Sequence, residues 1–296
     1  MIRGLIVAVM MAVPGVLTAQ RADAPLVLVV HGRGQLGRDS AQVRREIWHS
    51  LEAGIHTGGG DFSFAERDVK LVWYADILDA RSAGIAIPAC AAPRDSLSTS
   101  AGTTNAVTAL AALASVLLDA ASSNAIGDDA MTVRGFAGDL RYLADDDTRC
   151  AAENRVRAAL RQAKLEHRPV IVISHSLGAL VTWGALRGAD RDSTLPPIEE
   201  WITMGSPLGS VELRQLVFGD ARERLALPER VHEWVNVMRD GDPFATAVAR
   251  AEDDPAGTHI SDVHTGAVTD DPHAIASYLN SDATARALIR AWRAAH

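Results

Sequence analysis

The sequence predicts an α/β protein with a mostly parallel sheet and helices on both of its faces. Short, continuous apolar runs rich in Val and Ile recur along the chain, as in strands that are buried on both faces. These runs end in Gly, Pro or Asp and alternate with segments of helical periodicity, which is typical of parallel sheets covered by helices. With 296 residues and 48% hydrophobic content, the chain is long enough to bury such a core.

Five apolar runs are the predicted strands of this sheet. The first, PLVLVV, leads into a glycine-rich loop, HGRGQLG, and the third leads into the pentapeptide SHSLG. The five predicted strands are Pro25–Val30, Val69–Tyr74, Val170–Ser174, Glu200–Met204 and Val231–Met238.

Three helices are predicted between and after these strands. In the segment 151–165, Val156, Leu160 and Ala163 share one face, so this helix is expected to pack on the sheet. A second helix is predicted over 177–186. A third is expected to begin at Pro272 and to include 272–279, with Asp271 as its N-cap residue and Pro272 as its first residue.

The stretch from about 76 to 150 interrupts the alternation of strands and helices. It contains a polar loop, an Ala- and Leu-rich helical pattern around 107–117, and the acidic run 145–147, which we expect to be a solvated face. We interpret this stretch as a helical cap inserted into a single domain that spans residues 25–296.

The first 19 residues have the pattern of a secretory signal peptide. Arg3 precedes an apolar run, and a Pro-Gly break and a small residue, Ala19, follow it. Cleavage is expected after Ala19 or Ala24, which predicts a secreted or periplasmic protein. The run is shorter than the ~20 residues needed to span a bilayer, and no other segment of the sequence is a candidate for a membrane span.

The chain contains two cysteines, Cys90 and Cys150. An exported protein can keep them as a disulfide, and closing a loop of this length would stabilise the fold by roughly 4 kcal/mol in the chain-entropy model. Two buried thiols are the alternative.

Charge and motif spacing argue against several function classes. The net charge is −8 and the basic residues form no stripe, so nucleic acid is not an expected partner. His232 and Glu233 lack a second His at metalloprotease spacing, and the loop HGRGQLG lacks the Lys-Ser/Thr ending of a P-loop. Its three glycines have the G-x-G-x-x-G spacing of a dinucleotide site, but no fitting acidic residue at a strand end follows them. We therefore predict no metal and no cofactor.

Ser176, the central residue of SHSLG, follows a predicted strand and precedes a predicted helix. A nucleophilic serine on such a turn requires small residues two positions before and after it, and Ser174 and Gly178 meet this demand. Gly is usual at both positions, so Ser174 departs from the pattern. A polar turn without catalytic function is the alternative interpretation.

Together, HGRGQ, SHSLG, DGDP and DPHAIASYL resemble the corresponding segments of the α/β-hydrolase family, and of its secreted esterases and lipases in particular. They span residues 25 to about 279, and the order Ser, acid, His is the order of that family. The resemblance implies the α/β-hydrolase fold and Ser176 as the nucleophile. The expected substrate is a small-molecule or lipid ester, and a lipid or other apolar acyl ester is favoured because the Ala, Leu and Val residues of the cap could cover an apolar cleft.

The resemblance also implies an acid and a base. Asp242 directly precedes Pro243, as the acid commonly does in related hydrolases, so we favour it over Asp240. His273 is the favoured base because it lies in the last of the four segments; His259 and His264 are the rivals. His175 is expected to be a packing residue.

The same resemblance implies that the backbone N–H groups of Leu177 and Arg33 stabilise the oxyanion. Whether the side chain of Arg33 also meets the substrate stays open. The predicted activity is hydrolysis of carboxylic esters through an acyl-enzyme. An amidase, a peptidase or an acyltransferase would use the same residues, and a binding protein that has lost turnover is the alternative outside the enzymes.

Overall fold

Six strands form a single parallel sheet in the computed structural model, which describes residues 24–79, 84, 87, 133–187, 189, 192–219, 225–248, 259–268 and 270–295. The strands are β1 (Leu26–Val30), β2 (Val69–Val72), β3 (Val170–His175), β4 (Ile198–Met204), β5 (Val231–Arg239) and β6 (Ile260–Thr265). Their order across the sheet is β2-β1-β3-β4-β5-β6, and every neighbouring pair is parallel. The predicted α/β class with a parallel sheet is confirmed.

The described residues include eight α-helices. They are α1 (Ser40–Thr57), α2 (Ala75–Asp79), α3 (Val133–Ala144), α4 (Asp146–Leu165), α5 (Leu177–Leu186), α6 (Val211–Phe218), α7 (Ile275–Leu279) and α8 (Asp282–Ala294). The predicted helix over 177–186 is confirmed with both boundaries.

Alternating residues of each central strand enter two separate cores. In β1, Leu26 and Leu28 pack with buried residues of α4 and α5 on one face of the sheet. Val27 and Val29 pack with buried residues of α1 and α8 on the other face. Because side chains of a strand alternate between faces, this division gives the sheet a helical layer on each side, as the sequence predicts.

Helix α4 begins five residues before the predicted start at Ala151. Asp145 is its N-cap residue, and Asp146 and Asp147 lie in its first turn. Carboxylates are favourable there because the N-terminal end of a helix carries a partial positive charge. The acidic run therefore helps to start a helix.

The predicted helix start at Asp271 and Pro272 is wrong. Helix α7 begins at Ile275, after the extended N-cap residue Ala274. Instead, the carboxylate of Asp271 accepts a hydrogen bond of 2.9 Å from the backbone N–H of His273. Asp side chains commonly close turns in this way, so His273 lies in a turn that precedes the helix.

Several predictions fall wholly or partly outside the described residues. These are the signal peptide over 1–19, the helical pattern around 107–117, and Cys90. Of the predicted cap, α2, α3 and the start of α4 are described. Cys150 is in the disulfide form, and its pairing with Cys90 stays a prediction.

Ala24 is buried, with 3% of its surface exposed, and its carbonyl accepts a hydrogen bond of 2.7 Å from Arg168. A cut after Ala24 would remove this packed residue. None of the helices in the described residues has the length and apolar character that crossing a membrane requires.

Candidate active site

Ser176 lies on a sharp turn between β3 and α5. Its φ of 53° and ψ of −126° are rare for a residue with a side chain, and such backbone strain is often found at functional sites. The backbone N–H of Ser176 donates to the carbonyl of Met204, at 3.0 Å, which ties the turn to β4. Although Ser176 is the N-cap residue of α5, its hydroxyl does not cap the helix.

The residues two before and two after Ser176 explain how the turn packs. A Cβ atom at Gly178 would lie 2.5 Å from the carbonyl oxygens of both Val30 and His31, so only glycine fits this contact between α5 and the end of β1. At the other position, the buried hydroxyl of Ser174 accepts a hydrogen bond of 2.8 Å from the indole of Trp201. Ser174, which stands where glycine is usual, therefore has its own hydrogen-bond partner.

Ser176, His273 and Asp242 form a continuous hydrogen-bonded chain. The Oγ of Ser176 lies 2.8 Å from Nε2 of His273, and Nδ1 of His273 lies 2.9 and 3.0 Å from the two carboxylate oxygens of Asp242. A carboxylate only accepts, so Nδ1 is assigned the proton and donates to Asp242. Nε2 is then free to accept a hydrogen bond from the hydroxyl of Ser176.

The acid of this chain is fully enclosed, with 0% of its side chain exposed. Its oxygens also accept hydrogen bonds from the backbone N–H of Phe244, at 2.9 Å, and from the hydroxyl of Tyr278, at 2.6 Å. Burial alone would raise the pKa of Asp242, but the hydrogen bond and charge of His273, together with Tyr278 and Phe244, outweigh burial and hold this pKa below its ordinary value. Asp242 is therefore an anion that faces His273.

Burial and the neighbouring charge of Asp242 raise the pKa of Tyr278 above its ordinary range. Its hydroxyl stays protonated and acts as a donor.

The turn that carries His273 is fixed by contacts from two strands. Nε2 of His175, at the end of β3, donates to the backbone carbonyl of His273 at 2.8 Å. Arg239, at the end of β5, donates to the carbonyls of Gly266 and Ser277, at 2.7 and 2.6 Å. Burial lowers the pKa of His175 to about 3, so this ring is neutral, and it packs beside His273 with 4.7 Å between ring centroids.

The rival residues lie apart from this chain. Asp240 and His264 pair with each other at 3.6 Å, and their side chains are 65% and 66% exposed. His259 is also exposed and lies 2.8 Å from Glu233. Neither of these two contacts involves Ser176.

The loop after β1 is held by His31. Its Nδ1 donates to the carbonyl of Gly32 at 2.6 Å, and its Nε2 accepts from the backbone N–H of Tyr74 at 3.2 Å. Burial lowers the pKa of His31 to about 4, so the ring stays neutral and keeps both bonds. Arg33 follows in this loop; the residue as a whole is half-buried, and its side chain is 7% exposed.

A small, half-open pocket lies beside Ser176. Its apolar wall consists of Leu143, Leu180, Pro207, Leu213 and Phe244, and Arg33, Asp139 and Leu177 complete it. The volume of this pocket that the centres of water molecules can occupy is about 40 Å³, which is room for a few waters. Asp139 and Leu143 come from α3, within the stretch predicted as a cap.

Sequence reasoning missed several residues of this site. Gly205, after β4, has a φ of +52°, and a Cβ atom there would lie 2.7 Å from Oδ2 of Asp242 and 3.1 Å from Nδ1 of His273. Tyr278 and Asp139 were also missed. A positive φ and contacts between distant segments leave no pattern in one sequence, although the short run MGSP after a predicted strand marked Gly205 as a turn residue.

Among the described residues, no group of three or more His, Cys, Asp or Glu side chains is arranged to hold a metal ion. No protein-family model matches this chain, and no curated protein has significant sequence similarity to it. The geometry of the site is therefore the basis for the proposed function.

Proposed function

We propose that this protein is a secreted serine hydrolase of the α/β-hydrolase type, which cleaves carboxylic esters through an acyl-enzyme on Ser176. The observation that carries the proposal is the buried chain from Ser176 through His273 to Asp242, with distances of 2.8 and 2.9 Å. A serine hydroxyl needs a neighbouring base to become a nucleophile, and the base needs a partner that fixes its tautomer.

The first half of the reaction forms the acyl-enzyme. His273 takes the proton of Ser176 as Oγ attacks the ester carbonyl, and Asp242 stabilises the resulting imidazolium. The carbonyl oxygen becomes an oxyanion, and the N–H groups of Leu177 and Arg33 are the proposed donors to it, each contributing roughly 3 kcal/mol. The intermediate collapses when His273 gives its proton to the leaving alcohol.

The second half returns the enzyme to its starting state. Water loses a proton to His273 and attacks the acyl carbon, and collapse of the second intermediate releases the acid and reprotonates Ser176. The unusual backbone conformation of Ser176 supports this role, because the turn leaves the hydroxyl uncommitted to the helix end and directed at His273.

The size of the described pocket favours a short group beside Ser176, whereas a lipid ester would need space outside it. The cap and the export of the protein stay part of the proposal. Helix α3, which is one of the described parts of the cap, supports the cap proposal because it contributes Asp139 and Leu143 to the pocket wall.

The proposal is tested with a fluorophosphonate probe and with p-nitrophenyl esters of acetate, butyrate and decanoate. We expect wild-type protein to be labelled on Ser176 and to prefer the short esters, and Ser176→Ala to lose both labelling and turnover. Ser261→Ala, which changes an exposed serine on β6, is the matched control and should behave as wild type. A wild-type protein with neither labelling nor turnover would contradict the proposal and favour a binding protein.

A further inference from the structure

The loop HGRGQLG after β1, residues 31–37, lies directly against the turn that carries Ser176. A Cβ atom at Gly32 would be 2.7 Å from Nδ1 of His175 and 3.0 Å from Cβ of Ser176. Gly32 is buried and shares a peptide group with Arg33, whose backbone N–H is one of the two proposed donors to the oxyanion. Within the described residues, this N–H donates no hydrogen bond to the protein. A small displacement of this loop therefore moves a donor that lies next to the reacting hydroxyl.

The outer part of the loop is at the surface, whereas the side chain of Arg33 is enclosed. Gly34 and Gly37 are exposed, but only 7% of the Arg33 side chain is. Its guanidinium carbon lies 4.3 Å from the ring centroid of Phe244, and this ring packs against His273 with 4.5 Å between centroids. The side chain of Arg33 thus joins the loop to the cluster that contains the proposed base.

One carboxylate, that of Asp139 on α3, balances the charge of Arg33. Its Oδ2 lies 3.3 Å from Nη1 of Arg33, and the Asp139 side chain is 8% exposed. Burial raises the pKa of Asp139 to about 6, although Arg33 opposes this shift, so the carboxylate is mostly ionised in neutral and alkaline solution. Within the described part of the chain, Nε of Arg33 and Oδ1 of Asp139 have no hydrogen-bond partner. The position of the guanidinium therefore depends on this single contact and on Phe244.

Loss of the Asp139 carboxylate would leave the guanidinium of Arg33 buried without a counter-charge. An unpaired buried charge is strongly unfavourable, and water is close by, outside the exposed part of the loop. The guanidinium is then expected to move towards water and to displace the backbone of Arg33. Leu36 of the same loop also lies near α3, because a Cβ atom at Gly138 would be 3.9 Å from its Cδ1. The loop should therefore shift without leaving its place.

We propose that Asp139 is a positioning residue, which holds the backbone N–H of Arg33 in place for the oxyanion through the guanidinium of Arg33 and so couples helix α3 of the cap to the reaction at Ser176. The inference rests on the proposed function, because that function assigns an oxyanion to this loop. It also gives a role to an ion pair in a pocket wall that is mostly apolar, where apolar side chains of similar size are often no less stable.

The test compares wild type with Asp139→Leu, Arg33→Met and the double variant. The measurements at pH 8 are kcat and KM for p-nitrophenyl butyrate and the inhibition constant Ki of butylboronic acid. In the boronic acid adduct, Oγ of Ser176 bonds to boron as His273 takes its proton, and a boron-bound oxygen occupies the place of the oxyanion. Ki therefore reports the oxyanion donors without turnover.

We expect Asp139→Leu to lower kcat by about tenfold and to raise Ki by a similar factor, because complete loss of an oxyanion donor costs about 10²- to 10³-fold and a displaced donor loses part of that. KM should stay within about twofold of wild type, since both halves of the reaction use the same donors. Arg33→Met should cause a similar loss of kcat. Because Asp139 acts through Arg33, adding Asp139→Leu to Arg33→Met should have little further effect.

Asp68→Leu is the matched control for the loss of a buried ion pair. Asp68 lies 2.7 Å from Arg168, with side chains 11% and 14% exposed. These residues precede β2 and β3, so they lie at the opposite edge of the sheet from Ser176. The variant should lower the free energy of unfolding in urea but keep the kcat and Ki of wild type. A loss of kcat equal to that of Asp139→Leu would show that activity follows stability, and would overturn the inference.

The double variant decides the inference even if the single variants do not fold, because replacing both partners of a buried ion pair by apolar residues often leaves stability unchanged. Wild-type kcat and Ki in folded Asp139→Leu or in the double variant would overturn the inference and leave the proposed function intact. A further tenfold loss when Asp139→Leu is added to Arg33→Met would also overturn it. A wild-type protein with neither turnover nor fluorophosphonate labelling would instead refute the proposed function.

Discussion

Two aspartate–histidine pairs lie near the carboxyl ends of β5 and β6, and they differ in almost everything except their residue types. Asp242 and His273 are 2.9 Å apart with side chains 0% and 7% exposed, whereas Asp240 and His264 are 3.6 Å apart and about two thirds exposed. Asp242 has further donors in Phe244 and Tyr278. Exposed ion pairs contribute little because water competes for both partners.

Enclosure, more than the pairing of residue types, therefore distinguishes a candidate catalytic pair from a surface pair. In the buried pair, hydrogen bonds from three groups hold the carboxylate as an anion despite burial. The exposed pair is solvated and can move apart at little cost. Substitutions of matched residues in the two pairs test this comparison directly.

The largest effect is expected at the histidines. His273→Ala removes the proposed base and should lower kcat for p-nitrophenyl butyrate by about 10⁵-fold or more. His264→Ala is the matched variant in the exposed pair, and we expect its kcat to stay within about twofold of wild type. Steady-state kinetics of both proteins measure this. The opposite ranking would identify His264 as the base and disprove the assignment of His273.

Between the two aspartate variants, the difference in kcat should be slightly smaller than between the two histidine variants. Asp242→Asn keeps the size of the side chain but no longer fixes the proton on Nδ1 of His273, so kcat should fall by about 10⁴-fold. Asp240→Asn should have no measurable effect on kcat. Comparable losses in the two variants would show that the exposed carboxylate supports catalysis and that the comparison is mistaken.

The sheet could be predicted from the sequence where its strands are continuously apolar. The predicted strand starting at Val170 agrees with β3 to within one residue, because VIVI is buried on both faces. Strand β6 was missed because ISDVHT has no apolar run and lies half-exposed at the edge of the sheet. Helix α1 was also missed, although its buried Val43, Ile47 and Leu51 have helical spacing.

The candidate site was predictable where a local pattern carries the information. SHSLG between a strand and a helix indicated Ser176, and Asp-Pro turns pointed to Asp242 and His273. Their proximity could not be derived from the sequence, because 97 residues separate Ser176 from His273. Asp139 was missed for the same reason, since it meets Arg33 across 106 residues.

The hydroxyl of Tyr278 is a further difference between the two pairs, because the exposed pair has no such partner among the described residues. Tyr278→Phe removes the donor to Oδ2 of Asp242 but keeps the ring that packs below Arg239. We expect kcat to fall by about tenfold with KM nearly unchanged, since the lost bond is one to a charged group that orients the base. An unchanged kcat would mean that Phe244 and His273 suffice to hold Asp242.

The smallest effect concerns stability and the buried ring of His175. Its pKa is about 3 in the folded protein and about 6.5 in an unfolded chain, so between these values the unfolded chain binds a proton that the folded protein does not. The contribution of His175 to stability is therefore complete above pH 6.5 and is lost as the pH falls towards 3. His175→Gln keeps an N–H for the carbonyl of His273 but binds no proton.

The free energy of unfolding, measured by urea denaturation between pH 6 and 5, should consequently fall less steeply with decreasing pH in His175→Gln than in wild type. The expected difference in slope is about 1.4 kcal/mol per pH unit, the equivalent of one proton. The same measurement on His264→Gln, which changes a histidine with a 66% exposed side chain, is the matched control. Equal slopes in wild type and His175→Gln would mean that the ring of His175 takes up its proton as readily in the folded protein as in the unfolded chain. Burial would then not lower the pKa of His175.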